Sequence, residues 1–321
     1  MGQIALDTLV TGLPMITGIA GIYLLFRILN DFDLTVDGSF TMGAAVSAVA
    51  ALNGVPALVT VLLGVVAGAL SGLVTSALHV ALKIPILLSG LVMSMALFSI
   101  NLRIMKVPTL SLLGESGIFA PFTDLDQPAS DLAVSATLLA IDGVVLGLLL
   151  LFLRTEIGLA IRATGVNPVM AAAQGVSRTV VVAIALAIAN GLTGLAGALT
   201  VQVQGFVDVN AGTGTLIAGA GAVLLGELLL RPTASKVGRA MVAILVGGLL
   251  YRLIIVLALR LGLAATDLKL ITAVTLILAV GAQLAGRGIS ANLTGLGRRL
   301  RRAPSTGHAT DDAAQRLSRV P

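Results

Sequence analysis

Four charged side chains lie within long apolar stretches of this sequence: Asp37, Asp142, Glu227 and Arg252. A carboxylate in such surroundings can bind a proton or an ion, or it can pair with a guanidinium. Because a charge at the centre of a hydrophobic span costs about 2.5–3.5 kcal/mol on insertion scales, each must face protein or water. Asp142 and Arg252 have opposite charges at similar predicted depth. We predict that these two face the bundle interior and either pair or bind separate backbone partners.

The residues that most enzymes and metal sites require are scarce. The chain has no Cys and two His residues, which excludes disulfides and argues against a thiolate or imidazole metal site. It has no GxxxxGK(S/T) nucleotide loop and no HExxH, Ser/His or paired-aspartate protease motif. We therefore predict no catalytic residue, no metal and no cofactor in this chain, and any ATP must be bound by another polypeptide.

The composition predicts a membrane protein built from helices. The chain is 57% hydrophobic and 11% charged, with a mean hydropathy of +1.06, and a water-soluble domain with these values would expose very large apolar patches. Gly64, Gly68 and Gly72 follow each other at four-residue spacing, which lets a neighbouring helix approach closely. The net charge of +5 comes from Arg and Lys in loops and a tail, which indicates membrane topology and no nucleic-acid partner.

Nine apolar segments are predicted as transmembrane helices of an all-α polytopic protein. The connection at 154–178, here called the cytoplasmic segment, and the tail contain Arg residues and are predicted to lie inside. The connections at 107–130 and 204–215 contain neither Lys nor Arg and are predicted to lie outside. A transmembrane domain thus covers 1–286, and a basic, disordered tail covers 287–321. The nine segments are 1–29, 34–52, 56–80, 84–105, 131–153, 179–203, 215–230, 239–259 and 268–285.

The second span is short and begins in an acidic, Gly-containing stretch, which is typical of a broken helix. Transporters commonly hold substrates at such breaks, so we predict that a break at Gly38-Ser39 lines a translocation path with Asp37 and Thr41. The alternative is that Asp37 simply caps the second helix. Asp33–Val46 also aligns with Val207–Ala220, which predicts an inverted repeat. The aligned pairs are Gly38 with Gly212, Ser39 with Thr213, Thr41 with Thr215 and Ala44 with Ala218.

A short helix is predicted within the cytoplasmic segment. Asn167 suits the N-cap, Pro168 the first helical position and Gly175 the residue past the end, so residues 168–174 form about two turns. Such a helix can dock on a soluble partner, or it can be an ordinary capped loop.

Several motifs in order resemble one family of transporters. The motifs are DLTVDGSFTMG at 33–43, INLRIM at 100–105, GLAIRATGVNP at 158–168, Tyr251-Arg252 and LKLITA at 268–273. Together they resemble the ABC-transporter permeases of the branched-chain amino acid and ribose superfamily, and within it the tryptophan/tyrosine uptake branch. The resemblance covers residues 1–285.

The resemblance implies an ABC importer permease in the bacterial inner membrane. Its partners would be two ATPase subunits that hold ATP and Mg²⁺, an extracytoplasmic solute-binding protein, a second permease copy and membrane lipids. Val166 departs from the family, because this branch often has an acidic residue there. The residues implied in the ATPase contact are Arg162, Gly165, Asn167, Pro168, Met170, Ala171 and Gly175.

Two other classes of function stay open at this point. A secondary transporter would use Asp37, Asp142 or Glu227 as its ion or proton site. A membrane scaffold would transport nothing. Transport by the purified chain alone under an ion gradient would favour the secondary transporter, whereas neighbouring genes for an ATPase and a binding protein would favour the ABC importer.

Overall fold

In the part of the chain that the structure describes, seven helices are long and apolar enough to cross a membrane. Helix α1 continues into a π-helical turn at Leu24–Leu29, and α8 runs through the centre of the bundle, where it packs against α1, α2 and α3. The computed structural model describes residues 2–112, 117–122, 126–230, 237–264, 267–268 and 270–281. The seven helices are α1 (Gly2–Tyr23), α2 (Thr35–Leu52), α3 (Ala57–Leu82), α4 (Ile86–Met105), α5 (Ala129–Phe152), α8 (Arg178–Gln204) and α10 (Val237–Arg260).

Two shorter apolar helices coincide with the remaining predicted spans. These are α9 (Thr215–Leu230) and α11 (Leu270–Gly281). The predicted polytopic helical fold is confirmed, while the exact count of nine spans stays a prediction. The main compact unit is Met1–Ala279, and the second, Val280–Pro321, is described only at residues 280 and 281. The predicted tail at 287–321 lies outside the described residues.

A small antiparallel sheet joins two of the predicted outside connections. Strand β1 (Thr109–Ser111) pairs with β2 (Phe206–Asp208), and the Thr109 hydroxyl donates to the Asp208 carboxylate over 2.8 Å. The all-α prediction therefore misses one short sheet. Because paired strands must share a face of the bundle, the connections at 107–130 and 204–215 lie on the same side, as predicted.

The glycine spacing of α3 brings that helix into backbone contact with α8. A Cβ atom at Gly68 would collide with the carbonyl oxygen of Asn190, and one at Gly72 would collide with the carbonyl oxygen of Leu186. Small residues on this face allow a helix approach that larger side chains would prevent. The predicted packing face is confirmed.

The break before α2 lies earlier than predicted. Gly38 and Ser39 are both inside α2, and the non-helical residues are Asn30–Leu34, with Asn30 at φ +62°. The reason is local, because the Asp33 carboxylate accepts a hydrogen bond from the Thr35 backbone N–H over 2.8 Å and so satisfies the first turn. The predicted break at Gly38-Ser39 is therefore wrong by about one helical turn.

Candidate functional site

Asp37 connects helices α2 and α9, which both begin inside the bundle. One carboxylate oxygen accepts from the Gly214 N–H and the other from the Leu216 N–H, each over 2.9 Å. One turn along α2, the Thr41 hydroxyl accepts from the Gly212 N–H over 3.0 Å. Asp37 thus caps α9, whose N-terminal N–H groups have no partner within their own helix. The alternative that Asp37 caps its own helix is wrong. We call this set of contacts the junction.

The two aligned segments meet at the junction but are not equivalent position by position. Gly38 lies within α2, whereas Gly212 lies in the turn that precedes α9. Helix α2 starts at Thr35 and helix α9 starts at Thr215, whereas the sequence alignment pairs Thr41 with Thr215. The alignment predicted from small residues therefore does not match the helix starts in the structure. The far end of α2 packs near β2, while Glu227 near the far end of α9 contacts Arg27. The two helices therefore run in opposite directions from their meeting point.

A buried polar network holds the break against the centre of α8. Asn190 donates to the fully buried Asp33 carboxylate over 2.8 Å and accepts from the Ser39 hydroxyl over 2.7 Å. The Ser71 hydroxyl of α3 is bonded to Ser39 in turn. Burial raises the pKa of the Asp33 carboxyl above its ordinary value, and the hydrogen bonds from Thr35 and Asn190 act against that rise.

Two residues predicted to line the translocation path, Gly38 and Ser39, are buried in or beside this network. Ser39 is fully buried and bonded on two sides, and Gly38 packs against Leu97 of α4. Asp37 is half-buried, and Thr213 is exposed. Sequence reasoning missed Asp33 as a network member, although an Asn in the middle of an apolar span, at position 190, indicates a buried polar partner. The assignment of six residues to a translocation path stays a prediction: Asp37, Gly38, Ser39, Thr41, Gly212 and Thr213.

The predicted helix of the cytoplasmic segment is present. The Asn167 side chain accepts from the Met170 N–H over 3.0 Å, Pro168 is the first helical residue, and α7 is Pro168–Ala173, one residue shorter than predicted. Gly175 has φ +82°. A second helix, α6 (Glu156–Val166), precedes it and was not predicted. Thr155 caps α6 by accepting from the Gly158 N–H over 3.3 Å.

The side chains of the cytoplasmic segment divide into an exposed set and an anchoring set. Val166 is 85% exposed and Val169 is 79% exposed, and Asn167, Pro168 and Met170 are also exposed. In contrast, Ala171 is buried. A partner protein can therefore contact the exposed set directly, whereas Ala171 packs inward.

Gly165 belongs to the anchoring set. A Cβ atom there would collide with the carbonyl oxygen of Ile28, which lies in the π-helical turn at the end of α1. Arg162 is partly buried and lies on the same side of α6 as the π-helical turn. Gly165 thus packs against the π-helical turn and Ala171 is buried, while the assignment of both residues to the ATPase contact stays a prediction.

The intramembrane charges do not pair as predicted. Arg252 donates from Nε to the Thr11 hydroxyl over 2.8 Å. Asp142 is only 1% exposed, and neither of its carboxylate oxygens has a hydrogen-bond partner in the described structure. We predicted that Asp142 and Arg252 either pair or bind separate backbone partners, and the described structure shows neither, because Arg252 binds the Thr11 hydroxyl and Asp142 has no partner. Glu227 instead pairs with Arg27 at 2.6 Å.

Comparison with known proteins identifies the family. A family model described as branched-chain amino acid transport system / permease component matches residues 4–281. A tyrosine transport system permease protein of Clostridioides difficile (strain R20291) is 36% identical over 257 residues, which are 80% of this chain and 83% of that protein. An uncharacterized protein of Rickettsia prowazekii (strain Madrid E) is 30% identical over 280 residues, 87% of this chain and 97% of that protein. No solved structure is a significant match.

The family match covers all seven long helices and the cytoplasmic segment. The resemblance seen in the sequence motifs is thereby confirmed. The chain belongs to the branched-chain amino acid transport system permease family, and it is a multi-pass inner-membrane permease component of an amino acid transport system.

Proposed function

We propose that this chain is the permease subunit of an ATP-binding-cassette importer whose substrate is an aromatic amino acid. The observation that carries the substrate class is the 36% identity to a tyrosine transport system permease over 80% of the chain. Two observations support dependence on a separate ATPase. The sequence has no nucleotide-binding loop of its own, and α7 is a capped helix with an exposed surface. The proposed partners are two ATPase subunits, a solute-binding protein and a second permease copy.

The cytoplasmic segment is the proposed ATPase contact. Its exposed residues Val166, Val169 and Met170 would meet the ATPase, while Gly165 rests against the Ile28 carbonyl of the π-helical turn. A displacement of α6 must therefore move that turn, because no side chain separates the two backbones. Arg178, which begins α8 just after α7, lies 3.9 Å from Asp31 in the break. These contacts connect the proposed ATPase surface to the start of α2.

The second connection leads to α9. Arg27 of the π-helical turn donates to Glu227 near the end of α9. The other end of α9 is capped by Asp37. In this proposal, ATP-driven movement of the π-helical turn reaches the junction by two routes. One route passes through the break to α2, and the other passes through Glu227 and α9. Opening of the junction would expose the path for solute that the binding protein delivers.

One observation favours a second candidate function. Asp142 is a buried carboxylate whose oxygens have no partner in the described structure, and such a group is a candidate proton site. An ion-coupled secondary transporter would use it directly. In an importer driven by ATP, the same residue would be dispensable for energy coupling.

Reconstitution in proteoliposomes distinguishes the two candidates. The chain would be assembled with the ATPase and binding protein from the same operon, and uptake of labelled L-tyrosine would be measured. We expect uptake that requires ATP and both partners and that is unchanged by Asp142→Asn. Uptake by the permease alone under a proton gradient, abolished by Asp142→Asn, would instead establish the secondary transporter.

A further inference from the structure

A half-open cleft lies between the π-helical turn, the cytoplasmic segment and helices α9 and α10. Its volume is about 530 Å³, within the range of about 300–1,000 Å³ typical of small-molecule sites. The cleft is distinct from the junction, because it lies at the opposite end of α9. Its charged lining residues are Arg27, Arg162 and Glu227.

The charged groups of the cleft form a compact cluster. Arg27 Nε lies 2.6 Å from Glu227 Oε1, with the Glu227 side chain 9% exposed and the Arg27 side chain 45% exposed. The Tyr23 side chain lines the same cleft as Arg27, Arg162 and Glu227. Among the residues that the structure describes, the lining thus includes two guanidinium groups and one carboxylate, and each of these groups already has a partner within the chain. A carboxylate ligand matches guanidinium groups, which bind it with paired N–H donors.

The Glu227 carboxylate can bind a positively charged group of the ligand beside the ligand's own carboxylate. An α-amino acid has its carboxylate and its ammonium on the same carbon, and Arg27 and Glu227 are in direct contact. The two ends of the ligand would therefore meet neighbouring protein groups of opposite charge.

The rest of the cleft suits an apolar or aromatic side chain. Its walls include Leu159 of α6, Met170 of α7 and Val237 of α10. Apolar walls with a few placed charges are the usual character of a small-ligand pocket.

We infer that this cleft binds a free amino acid zwitterion, with its carboxylate at Arg27 and Arg162 and its ammonium at Glu227. The inference rests on the proposed function and deepens it, since it adds a solute site on the predicted cytoplasmic side, apart from the junction. Solute bound in this cleft would contact α6, α7 and α9 together. It would therefore connect the proposed ATPase surface to α9.

The test measures binding of labelled L-tyrosine to the full-length permease in lipid nanodiscs, without ATPase or binding protein. We expect saturable binding. Tyramine, which lacks the carboxylate, and 3-(4-hydroxyphenyl)propionate, which lacks the ammonium, should compete at least about tenfold more weakly, as expected for the loss of a charge-assisted contact. Glu227→Gln should weaken L-tyrosine binding by a similar factor. Leu159→Trp, which narrows the cleft and keeps its charges, should also weaken binding.

The matched control is Arg260→Gln. Arg260 pairs with Asp7 at the same 2.6 Å but lies at the opposite ends of α1 and α10, so its loss should leave L-tyrosine binding unchanged. Absence of saturable binding, equal competition by tyramine, or equal effects of Glu227→Gln and Arg260→Gln would overturn the inference. The inference would also be overturned if the wild type retained phosphatidylethanolamine that L-tyrosine did not displace, and if Glu227→Gln lost that lipid. ATP-driven uptake by the complete complex without such binding would refute the site and leave the importer proposal intact.

Discussion

The Asp37 side chain of α2 accepts a hydrogen bond from the backbone N–H of Leu216 in the first turn of α9. The residues are 179 positions apart in the chain, and the contact joins two helices that start within the bundle. Because the same carboxylate also binds the Gly214 N–H, it satisfies two donors that α9 cannot satisfy internally. Stability and transport should both depend on this carboxylate.

Replacing Asp37 with Ala should destabilise the protein. The change removes an N-cap and leaves two N–H groups without their acceptor, at a cost of about 1–2 kcal/mol in the free energy of unfolding. The measurement is thermal stability of the purified permease in detergent. Glu156→Gln, at an exposed carboxylate on α6, is the control and should leave Tm unchanged. Equal Tm values for Asp37→Ala and wild type would show that the cap contributes nothing.

Thr213→Cys should report on the proposed path. Thr213 is exposed beside the junction, and the chain contains no native Cys. We expect rapid reaction with a small aqueous thiol reagent and protection in one nucleotide state of the assembled complex. Leu58→Cys, on an exposed apolar position of α3, should react slowly. Labelling of Thr213→Cys at the Leu58→Cys rate, or without any dependence on nucleotide, would remove Thr213 from the path.

Val169→Asp should separate coupling from folding. Val169 is highly exposed on α7, so the substitution should change the free energy of unfolding by no more than about 0.5 kcal/mol, as for most surface changes. It should lower solute-stimulated ATPase activity severalfold. Leu261→Asp changes another exposed apolar residue, just after α10, and should leave the ATPase rate unaffected. Full stimulation in the Val169→Asp complex would exclude α7 as the contact.

Gly165→Val should behave differently from Val169→Asp. The new side chain would collide with the Ile28 carbonyl, and overpacking of this kind costs about 1–3 kcal/mol. We expect a clear loss of thermal stability together with loss of coupling. Ala172→Val, on an exposed position of the neighbouring helix, is the control for added volume. If Gly165→Val kept wild-type Tm, the backbone contact between α6 and the π-helical turn would not be stabilising.

Asp142→Leu should stabilise the protein or leave its stability unchanged. The carboxylate is buried and has no hydrogen-bond partner in the described structure, so replacing it with an apolar side chain removes a desolvation cost. Asn190→Leu is the contrasting variant, since it removes an amide that bonds both Asp33 and Ser39, and it should cost about 1–3 kcal/mol. A large drop in Tm for Asp142→Leu would indicate a partner for this carboxylate in the assembled complex.

The sequence alone determined the features that depend on local pattern. Apolar length and composition predicted the helices, because each segment satisfies its own backbone within the membrane. Asn167 and Pro168 predicted α7 almost to the residue, since N-capping depends on neighbours three positions apart. The motifs at 33–43 and 158–168 predicted the family. None of these needs knowledge of which helices touch.

The tertiary structure decided everything that depends on long-range contact. Asp37 was expected to line a path or to cap α2, yet its two N–H donors lie at the start of α9, and no local rule selects donors that far along the chain. Arg252 and Asp142 looked complementary by charge and depth, but helix packing directs the guanidinium to Thr11. The family resemblance implied Gly165 in the ATPase contact, and the structure adds that its lack of a side chain allows contact with the Ile28 carbonyl. Depth along a helix can be read from sequence, but the face that each side chain presents to its neighbours follows only from how the helices pack.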